Sequence, residues 1–220
     1  MKIQGFLDHL LKSAKGNGNP GEAAPSQGGL GGMLNADFGK GALTGGALGL
    51  LLGKNKTTRK LATYGGLAAI GVMAYKAYGE YQQQQGGGGS SVEPQTVDRL
   101  PPPLVELHSQ AILKALVAAA KADGHIDAHE RQVIEGEFSR LNQDVELQQW
   151  LHAELEKPLD PAEVARAAST PEIASEMYLA SLMAADEQSF MERAYLDELA
   201  RQLKLDDALK LKLEQQIKQA

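Results

Sequence analysis

The chain has no cysteine, which excludes a disulfide scaffold and thiolate metal sites without choosing a compartment. It has no nucleophile paired to a base, no complete metal-binding triad and no phosphate-cradling loop before a helix, so no reaction type can be named and the reading is that it is not an enzyme. The one tight glycine run, Gly86 to Gly89, is not a P-loop, because no Gly-Lys-Ser/Thr follows it. A cleaved secretory leader is not expected, since Asp8, His9 and Lys12 break the first apolar run and no Ala-x-Ala-like site follows. Positive charge is scarce in the second half. Residues 104–220 carry 12 Lys and Arg against 22 Asp and Glu, a net −10, which argues against nucleic acid, whose phosphates need clustered cations.

The first 103 residues are of opposite character, with ten Lys and Arg against six Asp and Glu, a net +4, and 22 of the 24 glycines. Ile3, Phe6, Leu7, Leu10 and Leu11 recur at helical spacing, so residues 1–15 read as a short amphipathic helix for a membrane surface or a partner helix. Residues 16–40, rich in Gly, Asn, Pro, Ser and Ala, read as a flexible linker. Residues 41–81 read as one or two glycine-rich membrane segments. Gly41, Gly45, Gly49 and Gly53 recur every four residues with no charge between them, as in helices packed closely within a bilayer. As a helix that stretch is only roughly 20 Å long, short of a hydrocarbon core of about 30 Å. Residues 61–79 reach about 28 Å and are the better spanning candidate, with Lys76 snorkelling toward the headgroups. A single span would be N-in, C-out, because Lys40, Lys54, Lys56, Arg59 and Lys60 precede it and only Arg99 soon follows. A tight hairpin with the basic turn at its tip, and a soluble glycine-rich helical pair, are the other geometries. Residues 82–103, from the glutamine and glycine runs to Pro101-Pro102-Pro103, read as a low-complexity tether.

From residue 104 to 220 the pattern is helical throughout, with no competing strand signal. One helix is expected over 104–122, ended by Gly124; another over 128–141; and a third carrying Leu147, Trp150, Leu151 and Leu155. Asp160-Pro161 and Thr170-Pro171 each place a cap before a proline at the first helical position. Ser189 opens a helix reaching Leu203, and Asp206 or Asp207 opens the last, with Leu209, Leu213 and Ile217 on one face. Two stretches, 119–131 and 182–193, resemble each other: helix, Asp, short turn, cap, then Glu-Arg, which suggests two related helical hairpins. The first turn matches the second half of a calcium loop through Asp123, Gly124, Asp127 and Glu130, but Ala119 and Lys121 stand where the first two ligands would be. A metal would therefore need further carboxylates, Asp186 and Glu192 of the other hairpin. The competing reading is structural: Asp127-x-x-Glu130 and Ser189-x-x-Glu192 are both capping boxes.

At the Ala122-Asp123-Gly124-His125-Ile126 turn and the second acidic turn the sequence resembles the TerB-like all-helical domains, named for a tellurite-resistance protein. Over its whole length, including residues 40–46 and 61–71, it is similar to the YebE-type family of bacterial inner-membrane proteins of unknown function. The resemblance implies an all-α fold, a bundle of about seven helices behind a glycine-rich anchor, with a divalent cation such as calcium proposed at the acidic turns. By position that carries to Asp123, Asp127, Glu130, Asp186 and Glu192, although Glu187 stands where the family has glycine. The expected function is a membrane-anchored, non-enzymatic interaction or stress-related module with an unknown protein partner. The alternative is a structural membrane protein that self-associates through its glycine ladder, with the lipid bilayer as its other partner.

Overall fold

A computed structural model describes residues 3–5, 7, 67–84, 93–122, 132, 135–136, 144–185 and 189–219. Its elements follow from local chemistry. Helix α1, Leu67–Gln84, is built on good helix formers and places Leu67, Ile70, Met73, Ala74 and Ala77 on one buried face. Helix α2, Pro102–Ala120, takes the prolines of the expected tether into its first turn, where a missing N–H costs nothing. Helix α3, Val145–Glu156, starts at Asp144, whose carboxylate accepts from the N–H groups of Glu146 and Leu147. Asp160 caps the short α4, Pro161–Ala165, and Thr170 caps α5, Pro171–Ala184, through the N–H of Ile173. Ser189 caps α6, Phe190–Gln202. Helix α7, Asp207–Gln219, buries Leu209, Leu213 and Ile217 as its 3.6-residue period requires. The described residues contain no strand.

Between α6 and α7 the chain turns through Lys204, at a φ of 55°. The N–H of Leu205 returns to the carbonyl of Ala200 and that of Lys204 to Arg201, the Schellman arrangement, here with lysine where glycine is usual.

Helix α5 is the axis of the molecule. Every residue from Ile173 to Ala184 is buried, because α1, α2, α6 and α7 all pack around it. Helix α3 lies on α2, and α4 sits between α2 and α6. A fully buried Leu or Met contributes about 1.5–3 kcal/mol, so Met177, Leu179 and Met183, each at 0 % exposure, make this the energetic centre of the fold.

Two expectations change here. The described part of the expected spanning segment, α1, is seated against α5 and α7, and Lys212 of α7 reaches Glu80 at 3.4 Å. The bundle therefore begins ahead of residue 104. No helix among the described residues is long and apolar enough to cross a membrane. The physical reason is that a face of Ala and Gly fits any close helix neighbour, in lipid or in a protein core. At the N-terminus, Ile3 and Leu7 are 1 % and 0 % exposed, and the N–H of Ile3 donates to Glu106 of α2 at 2.6 Å. Of the two surfaces weighed for residues 1–15, the described ones use a partner helix. The expected helix over 128–141 and the ladder of Gly41, Gly45, Gly49 and Gly53 lie outside the described residues, apart from Gln132, Glu135 and Gly136, which are helical.

Candidate functional site

Helices α2 and α5 run in the same direction. His108 meets Glu176, and seven residues further along α2 the carbonyl of Ala115 accepts from Ser181. Both helices consequently finish at one end of the bundle, where Ala122 and Ala185 are buried at 3 % and 0 % exposure. These two alanines immediately precede Asp123 and Asp186, the first residues of the duplicated acidic turns. The last carbonyls of two parallel helices also bring the negative ends of two macrodipoles to this end, a setting that favours a cation.

Asp123, Asp127, Glu130 and Asp186 lie outside the described residues. Glu192 is described: it sits in the first turn of α6, 8 % exposed, and its N–H donates to the Ser189 hydroxyl at 3.4 Å. This is one half of the capping box read from Ser189-x-x-Glu192. As a donor Glu192 is a hard carboxylate oxygen of the type that calcium and magnesium accept. Among the described residues no group of three or more His, Cys, Asp or Glu converges to hold a metal.

A second polar centre lies within the core and was not anticipated. Glu176 is fully buried on α5. One carboxylate oxygen lies 2.5 Å from Nδ1 of His108, and the other accepts from the N–H of Val97 at 2.6 Å. Burial pushes the Glu176 carboxyl above its ordinary value and Asp98 adds to the rise, while the hydrogen bond and charge of His108 and the Val97 N–H pull the other way without cancelling it. The 2.5 Å contact requires a proton between Nδ1 and the carboxylate, whichever of them carries it. The sequence signal that could have revealed this centre is a single glutamate in the apolar run of α5, where ionisation without a partner is too costly to persist.

This pair fastens a strap, residues 93–100, into the bundle. Thr96 is buried and its hydroxyl donates to Asp98 at 2.7 Å. Asp98 in turn lies against Gly71 of α1: a Cβ at Gly71 would fall 2.3 Å from the Asp98 carboxylate and 2.9 Å from its backbone nitrogen. Only glycine lets the two chains approach this closely. Arg99 stacks 3.8 Å over the ring of Tyr75 and pairs with Glu93 at 2.7 Å. The strap thus joins α1 to α2 and α5. His108 and Glu176, at 4 % and 0 % exposure, offer no approach to a substrate atom, so the geometry is that of a fastening.

A third cluster ties α2 to α3 and α4. Lys114 pairs with Glu163 at 2.8 Å and Lys157 with the buried Glu154 at 2.6 Å, while the ammonium of Lys121 reaches the carbonyl of Glu154 at 3.1 Å near the end of α3. The Lys114 hydrogen bond holds the Glu163 carboxyl below its usual range. A cation at the last turn of α3 is where the helix dipole favours one.

Fold and sites together define, among the described residues, an all-helical bundle in which the parallel α2 and α5 finish at one end. Residues 37–217 match the model of the family described as "Protein of unknown function (DUF533)", and the chain belongs to that family. It is 33 % identical over 127 residues, 58 % of this chain and 90 % of the relative, to a protein of Yersinia enterocolitica described as "Uncharacterized protein in ampR 5'region". No solved structure matches it.

Proposed function

We propose that the chain is a non-enzymatic, TerB-like interaction module of the bacterial inner membrane that takes a divalent cation between its two acidic turns. The observation that carries this reading is the parallel course of α2 and α5, which ends in buried Ala122 and Ala185 at the same end of the bundle. Asp123, Asp127 and Glu130 then follow one helix, and Asp186 and Glu192 the other. Four or five carboxylates drawn from two turns are the hard-oxygen donor set that calcium or magnesium requires. A bound cation would order the turns and the acidic surface beside them, through which a protein partner is engaged.

Attachment to the bilayer falls, on this reading, to the glycine-rich residues 41–66, since α1 is packed in the bundle. The contact of Ile3 with Glu106 supports a topology with both chain ends on one side, against the N-in, C-out arrangement of a single span. The uncharged stretch Gly41 to Gly53 is only roughly 20 Å long as a helix, and Lys54, Lys56, Arg59 and Lys60 follow it, so its apolar length is too short for a crossing. Together with ends on one side, that length favours a segment that enters one face of the membrane and returns.

Calorimetric titration of the full-length chain with calcium, magnesium and zinc tests the cation. Saturable heat and a raised melting temperature are expected, both lost in Asp123→Ala and Glu130→Ala; a parent protein that takes up none of the three ions overturns the cation reading. Because the chain has no cysteine, single-cysteine variants at Gly5 and Gln219 can be labelled from either side of sealed vesicles. Labelling of both from the same side is expected, and labelling from opposite sides rejects the topology.

A further inference from the structure

The strap of residues 93–100 is seated on the core through a buried acid. The Val97 N–H donates to one oxygen of Glu176 at 2.6 Å, and the other oxygen lies 2.5 Å from Nδ1 of His108. Both oxygens are thereby used, and Val97, His108 and Glu176 are all buried. Among the described residues the charged groups acting on Glu176 are His108 of α2 and Asp98 of the strap itself, with none from α1, α6 or α7. Helix α1 meets the strap here through Gly71 and the ring of Tyr75, the latter beneath Arg99, which lies 3.5 Å from Asp98 and 2.7 Å from Glu93. When the pair holds a proton beyond that of neutral imidazole it is neutral overall, whether as imidazolium with carboxylate or as imidazole with carboxylic acid. Loss of that proton leaves a net negative charge out of reach of water, with a second carboxylate, Asp98, as its neighbour on the strap. Gain of a proton leaves a positive pair, which the charge of Asp98 opposes. The joint is therefore sensitive to one direction of pH change.

We propose that His108 and Glu176 form a proton-operated latch: the strap stays seated while the pair holds this proton, and loss of the proton to solvent lifts residues 93–100 away from α5. Lifting lets water reach the Glu176 carboxylate and separates it from Asp98, so the opened strap relieves both costs at once. Burial of the carboxyl acts in the same direction, since it favours the protonated form in the seated state alone. Opening also withdraws Asp98 from Gly71 and uncovers that face of α1. A rise in pH thus changes the surface that α1 presents. The device is independent of the acidic turns, whose residues take no part in it.

Amide hydrogen exchange of the full-length protein, followed by NMR over a pH series and expressed as protection factors, reads the latch directly. The Val97 N–H is the strap's bond to Glu176, the Arg99 N–H closes the strap's own turn on the Thr96 carbonyl, and Leu179 reports the core of α5. Val97 and Arg99 are expected to be less protected than Leu179, because the strap opens without global unfolding. Above the ordinary glutamate range the protection of Val97 should fall by about tenfold per unit of pH, the dependence of an opening that releases one proton. In Glu176→Gln, whose amide oxygen can still accept from Val97, that fall should vanish. Asp98→Asn removes the neighbouring charge and should move the onset of the fall to higher pH, which keeps the test decisive if Glu176→Gln does not fold. Protection of Val97 equal to that of Leu179, a Val97 value indifferent to pH, or a fall that persists unchanged in Glu176→Gln or in Asp98→Asn overturns the proposal.

Discussion

Helices α1 and α5 are both largely apolar, yet the molecule uses them in opposite ways. Helix α5 carries Ser175, Glu176 and Ser181 and is buried on every side. Helix α1 carries the composition of a membrane segment, with four alanines and two glycines among its 18 residues, and buries one face while Val72, Lys76 and Glu80 stay exposed. The helix with the polar residues is the core, and the helix of small apolar residues is a flank. The comparison teaches that mean apolarity does not report burial. Glu176 is tolerated inside because His108 and the Val97 N–H satisfy it, whereas the Ala and Gly face of α1 is a surface for close approach with no preference for lipid over protein.

The comparison breaks most visibly if α1 is not part of the cooperative unit. Leu179→Ala in α5 is expected to cost about 2–5 kcal/mol in urea unfolding of the full-length chain. Ile70→Ala in α1, also at 0 % exposure, should cost an amount of the same order. An Ile70 variant with the parent's stability would show that α1 is not docked.

The two described glycines of α1 sharpen the same point with opposite signs. At Gly71 a methyl group meets the backbone nitrogen of Asp98 at 2.9 Å, and backbone cannot swing aside. Gly71→Ala should therefore lower stability by about 1–3 kcal/mol of overpacking, less the helix-propensity gain of about 1 kcal/mol. At Gly79 nothing lies within 4 Å, and Gly79→Ala should raise stability by up to about 1 kcal/mol. Equal effects at the two positions would contradict the contact with the strap.

A pH series isolates the polar centre of α5. Because the folded-state value of Glu176 lies above its ordinary one, the folded protein holds more protons than the unfolded chain between the two values, so this group's contribution is fully present below the ordinary glutamate range and is lost as pH rises through the folded-state value. Glu176→Gln has no such titration. The melting temperature of the parent relative to the variant should accordingly decline as pH rises above the ordinary glutamate range; a flat or rising difference would mean that the pair with His108 outweighs burial. The smallest effect expected lies outside both helices: Lys204→Gly should gain up to about 1 kcal/mol by relieving the left-handed backbone at the end of α6.

Much of the architecture was legible residue by residue. Asp160, Thr170 and Ser189 are legible as helix starts and act as such, whereas Asp144, with no proline after it, gives no comparable signal of the cap it provides. The stripe of Leu209, Leu213 and Ile217 faces the core as its spacing required. Pro102 and Pro103, expected in the tether, open a helix instead, because proline at a first turn and proline in an extended linker are alike in sequence and differ only in whether the following residues pack. Of the candidate site, the likeness of the two acidic turns is legible in the sequence, and the structure adds that α2 and α5, which lead toward them, are parallel.

The sequence by itself determined where helices start and stop and which of their faces are apolar, since caps, prolines and 3.6-residue periodicity act over a few residues. Only the tertiary structure decided what each face meets. Gly71 against Asp98, His108 against Glu176 and Ile3 beside Glu106 join residues 27 to 103 positions apart. Contacts of that span depend on the folded path of the chain, and a short window of residues carries no signal of which distant partner will fill its surface.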